Sequence, residues 1–98
     1  MPIKETLKVR AKTHGEFFMN AALSQDIKQA MRRGEKWEDL TPEQCEALEC
    51  IAGKVARIIC GNATYIDHWR DISGYATLVA DTCSDDPIIK IDEIGRVK

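Results

Sequence analysis

The run from Thr41 to Gly61 constrains this chain more than any other stretch. Thr41-Pro42-Glu43-Gln44 sets a capping threonine before proline at the first helical position, with acidic charge in the opening turn. Behind it Leu48, Ile51, Ala52, Val55, Ile58 and Ile59 recur at helical spacing and form one apolar seam. Gly61 and Asn62, both tolerant of positive φ, then supply a stop. The pattern predicts a helix over 41–60. Its seam has to be buried against other helices, so the fold class is all-α.

A second helix follows after a short turn. Thr64 stands as its cap with Asp67 three residues on, and Tyr65, Trp69, Ile72, Ala76 and Val79 make its seam over 64–82. Pro87 forbids helix well beyond that point. Upstream, Thr13-His14-Gly15-Glu16 has the spacing of a capping box and predicts a helix over 13–33, stopped by Gly34. That helix is apolar on two sides: Met19, Leu23, Ile27 and Ala30 form one stripe, and Phe17, Ala21 and Met31 lie roughly opposite. A three-helix monomer leaves one of these stripes wet. The expectation is therefore one domain over 1–98, a bundle of three main helices that associates into at least a dimer. Trp37 and Leu40, in the connection, are expected to fold over the end of the bundle. Residues 2–12 are open between a short helix and an extended arm. The tail, with Ile88, Ile89, Ile91 and Ile94, is open between packing on the bundle and adding a strand.

Composition limits the function classes. A net charge of −2 gives no broad attraction for nucleic acid, and 31% charged with 44% hydrophobic residues describes a soluble globular chain. No stretch approaches the roughly 20 apolar residues of a membrane span, and Met1 to Lys12 has no hydrophobic signal region, so the expected compartment is the cytoplasm. Cys45, Cys50, Cys60 and Cys83 lack Cys-x-x-Cys spacing, which favours reduced thiols packed as small apolar groups over a zinc site.

Candidate chemistry lies on the last two helices. Glu46 and Glu49 form an E-x-x-E pair on one, and Asp67 and Asp71 stand one turn apart on the other. Antiparallel packing sets Asp67 nearest Arg57 and Lys54, with the two glutamates further along. Carboxylates from facing helices suit magnesium, and Lys54 and Arg57 suit the phosphates magnesium accompanies. The plain alternative is a solvated face on which Arg57 makes a surface ion pair. His68, between Asp67 and Asp71, reads as an exposed imidazole, and Lys28, Arg32, Arg33 and Lys36 as a solvated helix end. No Walker loop, dinucleotide fingerprint or G-x-S-x-G nucleophile occurs.

The stretches Glu46-Ala-Leu-Glu49, Ile51-Ala-Gly-Lys54-Val-Ala-Arg57-Ile and Asp67-His-Trp-Arg-Asp71-Ile-Ser-Gly-Tyr75 resemble a family of small phage-encoded proteins with the pattern K-x-x-R-I, a gap, then D-x-x-x-D-I-x-G-Y. Arg10-x-x-x-His14-Gly15-x-Phe17 resembles that family's opening motif, so the likeness spans roughly residues 10–80. More distantly, the arrangement is similar to the all-α nucleotide pyrophosphatases of the MazG type, which hold magnesium with an E-x-x-E pair and a following E-x-x-D pair. Glu46 and Glu49 match the first pair; Asp67 and Asp71 differ from the second in spacing and in the leading residue. The resemblance implies a phage accessory protein in the host cytoplasm that binds a nucleotide or nucleotide-derived small molecule. It implies either magnesium-dependent hydrolysis, with Glu46, Glu49, Asp67 and Asp71 on the metal and Lys54 and Arg57 on the phosphates, or sequestration of a nucleotide signal without catalysis. A purely structural bundle is the third reading.

Overall fold

The computed structural model describes residues 2–83. Within them the chain forms α1 (Ile3–His14), α2 (Phe17–Arg32), a single 3₁₀ turn (Trp37–Asp39), α3 (Pro42–Cys60) and α4 (Ile66–Ala80). The all-α class holds, with no strand among the described residues. The tail from residue 84 onward, on which two alternatives stood open, lies outside them.

α3 is the central element, packed against α1, α2 and α4. Its start follows from local chemistry. The Gln44 amide donates to Thr41 Oγ1 at 3.2 Å, and the Thr41 amide donates to Gln44 Oε1 at 2.9 Å, a complete capping box. α3 and α4 run antiparallel. Lys54 meets Asp71, Cys50 meets Tyr75, and Ala47 shares a groove with Val79, stepping in opposite directions along the two helices.

The helix predicted over 13–33 begins later, at Phe17, and the segment left open between helix and arm forms a helix of its own, Ile3–His14, so the described residues hold four helices rather than three. Thr13 and His14 close α1 and do not open α2. The Thr13 hydroxyl donates back to the Arg10 carbonyl, and Glu16 occupies the N-cap of α2 without a side-chain cap bond. The break is Gly15, at φ 81°, a conformation that disfavours any residue with a Cβ. A Cβ there would strike the Cys60 carbonyl. Gly61 meets the same seam from the other side. It sits at φ −122°, so the positive φ foreseen for it is absent, and its role is close approach, because a Cβ would overlap the Thr13 carbonyl oxygen. The two glycines let α1 and the α3–α4 junction touch backbone to backbone.

Thr64 does not cap α4 either. Its amide and hydroxyl both donate to Asn62 Oδ1, at 2.9 and 2.8 Å, so the threonine closes the turn and Tyr65 becomes the N-cap. α4 keeps Tyr65, Ile72 and Val79 of the expected seam inward but shifts the buried face toward His68 and Tyr75, leaving Trp69 and Ala76 exposed. His68, expected in solvent, is 2% exposed. On α3 the fully buried positions are Ala47, Ala52 and Ala56, while Leu48 and Ile59 of the expected seam stay exposed. Along α2, Leu23, Ile27, Ala21 and Met31 are half-buried, and Phe17, Met19 and Ala30 are exposed. Trp37 and Leu40 are half-buried at the α2–α3 connection, as expected. Among the described residues no helix is long and apolar enough to cross a membrane.

Candidate functional site

The residues singled out on α3 do gather. Glu46, Glu49, Lys54 and Arg57 line one open cavity of about 320 Å³, joined there by Lys28 of α2 and by Cys50 and Tyr75. The helical repeat explains the α3 contribution: positions 46, 49, 50, 53, 54 and 57 recur at three- and four-residue steps on one face. Gly53, in that row, has no side chain and opens the floor toward α2, where Ser24 Oγ would lie 3.9 Å from an added Cβ.

The acidic residues divide. Asp71 pairs with Lys54 at 2.7 Å, with the Lys54 side chain only 15% exposed. That hydrogen bond holds the Asp71 carboxyl below its ordinary value, against a smaller opposing effect of burial. Glu49 forms an ion pair with Arg32. Glu46 is exposed and accepts a bond from the Cys50 thiol at 3.5 Å. Asp67 is exposed in the first turn of α4, where it complements the helix dipole, and it does not line the cavity. No three acidic, histidine or cysteine side chains among the described residues converge as a metal-binding group. As arranged, then, Glu46 and Glu49 line the cavity, Glu49 and Asp71 each hold a cation, and Asp67 lies elsewhere.

A second cavity, of about 590 Å³, adjoins the first. Lys28, Gly53 and Arg57 line both. Its further wall comes from α1 and the start of α2, including Leu7, Arg10, His14, Phe17 and Ala21. Positive charge concentrates at this junction. The His14 imidazole is pushed below its ordinary value, first by burial and then by Arg57, His68, Lys54 and Arg10. Tyr75, at the other end, has its phenol raised, chiefly by the neighbouring Cys50 thiol.

Sequence reasoning missed Lys28, Arg10, His14 and Tyr75 as members of one site. Lys28 had been grouped with Arg32, Arg33 and Lys36 as a solvated helix end, but it is half-buried between the two cavities. One signal was present: Arg10 and His14 lie one helical turn apart, and both belong to the motif Arg10-x-x-x-His14-Gly15. The four thiols are free; Cys45, Cys50 and Cys60 are half-buried and Cys83 is exposed. Comparison with known proteins adds no relative, since no family model, no curated protein and no solved structure gives a match to this chain.

Proposed function

We propose that this protein binds a nucleotide or nucleotide-derived anion and retains it without hydrolysis. The observation that carries the reading is the shared wall of the two cavities, where Lys28 and Arg57 face both spaces. Phosphates in the smaller cavity would meet Lys28, Lys54 and Arg57, and the guanidinium can engage two oxygens at once. The larger cavity, with Leu7, Phe17 and Ala21 among its walls, suits the less polar remainder of such a ligand. Pairing of Glu49 with Arg32 and of Asp71 with Lys54 limits the repulsion an anion would otherwise meet.

The hydrolytic alternative rests on Glu46 and Glu49, which do line the phosphate-side cavity. It would require Glu49 and Asp71 to leave their pairs with Arg32 and Lys54. The likeness to small phage proteins extends the proposal to an accessory role in the host cytoplasm, withdrawing a nucleotide signal from a defence response. We also propose that the working form is a homo-oligomer.

A thermal-shift screen of nucleoside triphosphates and cyclic dinucleotides, with and without magnesium, tests the reading. Stabilisation should appear without the metal, by about 2.7 kcal/mol at a hundredfold excess over Kd. No phosphate or pyrophosphate should be released. Release that depends on magnesium would restore the hydrolase reading, and no shift with any compound would remove nucleotide binding altogether.

A further inference from the structure

Among the described residues many large apolar side chains are exposed, and six of them belong to one end of the molecule. Gly15 abuts Cys60, Gly61 abuts Thr13, and the rings of His14 and Tyr65 stand 6.2 Å apart, so the start of α2, the end of α3 and the start of α4 converge. From that convergence project Phe17 at 84% exposure, Phe18 at 71%, Met19 at 54%, Ile59 at 65%, Ile66 at 54% and Trp69 at 53%. The Trp69 Nε1–H is already bonded to the Ala63 carbonyl at 2.8 Å, so the part of the indole left in water is its apolar ring. The buried apolar side chains among the described residues, by contrast, are those of Ala47, Ala52 and Ala56.

We infer that this end of the molecule is the contact face for a second copy of the same chain. Three observations select that occupant. At ordinary side-chain areas, the exposed parts of the six residues amount to roughly 800 Å², which is what one partner contributes to an interface of standard size. Monomers rarely show contiguous apolar patches above a few hundred Å². The rim carries both signs, with Glu16 and Asp67 against Arg70, all exposed. A patch of mixed rim charge is self-complementary across a two-fold axis, whereas a nucleic-acid or anionic-lipid surface would call for one positive sign. Among the described residues the buried apolar side chains are small, and burying two phenylalanines, a methionine and a tryptophan between copies adds large ones. The face differs from the one expected from sequence. Phe17 belongs to it, but Met31, at the far end of α2, is half-buried and does not.

This inference deepens the oligomeric part of the proposed function; Phe17 also lines the larger cavity, whereas Phe18, Ile59, Ile66 and Trp69 line neither cavity, and the test below reads association without ligand. Sedimentation velocity on the full chain should show a dimer at tens of micromolar, twice the 11.0 kDa of the monomer. The double substitution Phe17→Glu, Phe18→Glu should raise the dimer dissociation constant at least tenfold while leaving helical circular dichroism unchanged. In a Trp37→Phe background, emission from Trp69 should shift to the red on dilution through the same transition. Should the double variant lose helicity, Ile59→Lys, on a different helix, decides by the same measurement. A wild type that stays monomeric at tens of micromolar overturns the inference. So does a dimer that survives these substitutions, or one whose dissociation leaves Trp69 emission unmoved.

Discussion

His68 Nε2 lies 3.0 Å from the carbonyl oxygen of Thr13, a contact across 55 positions of sequence that joins α4 to the end of α1. A carbonyl only accepts, so Nε2 carries the proton and the tautomer is set by the fold. The same oxygen receives the Asn62 amide at 3.0 Å, and the His14 ring stands 4.7 Å from His68, edge on. This node holds α1, which contributes no buried residue of its own, against the rest of the bundle. His68→Ala should therefore cost about 2–3 kcal/mol, from a lost bond and a void where a ring was packed. Urea denaturation measures it, and hydrogen exchange should show α1 deprotected first.

Stability should fall on mild acidification, through His14. Its folded pKa is lowered from 6.5, so between the lowered value and 6.5 the unfolded chain binds more protons than the folded one. The contribution is complete above that window and is lost as pH drops through it. His14→Gln should flatten the slope. The denaturation midpoint followed from about pH 8 to about pH 5 checks it.

The glycines should divide by what surrounds them. Ala at Gly61 or Gly15 places a Cβ against backbone that cannot yield, and each should cost at least about 2 kcal/mol. Gly74, inside α4, has nothing within 4 Å of an added Cβ, so Gly74→Ala should stabilise by about 0.5–1 kcal/mol. Equal responses at the three positions would contradict the close contact between α1 and the α3–α4 junction.

Arg57→Ala and Asp71→Asn separate retention from metal-assisted hydrolysis. Removing Arg57 should weaken nucleotide binding by about 1.5–3 kcal/mol, the range of a charge-assisted hydrogen bond. Asp71→Asn removes the carboxylate that holds Lys54 and should leave binding unchanged or tighter. Isothermal titration without metal reads both. A larger loss from Asp71→Asn than from Arg57→Ala would contradict the retention reading.

Thr41→Ala should cost about 1 kcal/mol, because both halves of its capping box are made. Thr64→Ala should stay within about 0.5 kcal/mol, since that side chain caps no helix. Thermal denaturation of the two variants in parallel gives the comparison.

The sequence alone settled what depends on residues a few positions apart. The capping box at Thr41, the extent of α3 and the placement of Glu46, Glu49, Lys54 and Arg57 along one helical face are all local, because hydrogen bonds and side-chain rows within a helix need only the nearby chain. Tertiary structure decided which face each helix buries. Thr13-His14-Gly15-Glu16 satisfies the spacing of a helix start, yet Gly15 turns the chain there because Cys60, 45 positions away, occupies the space a Cβ would take. α4 turns His68 inward, where it shares the Thr13 carbonyl with the Asn62 amide, and Trp69 is left outside. Lys28 and Arg57 line the same two cavities only because α2 packs along α3. Local spacing carries no information about such partners, since their contact energy exists only after distant segments have met.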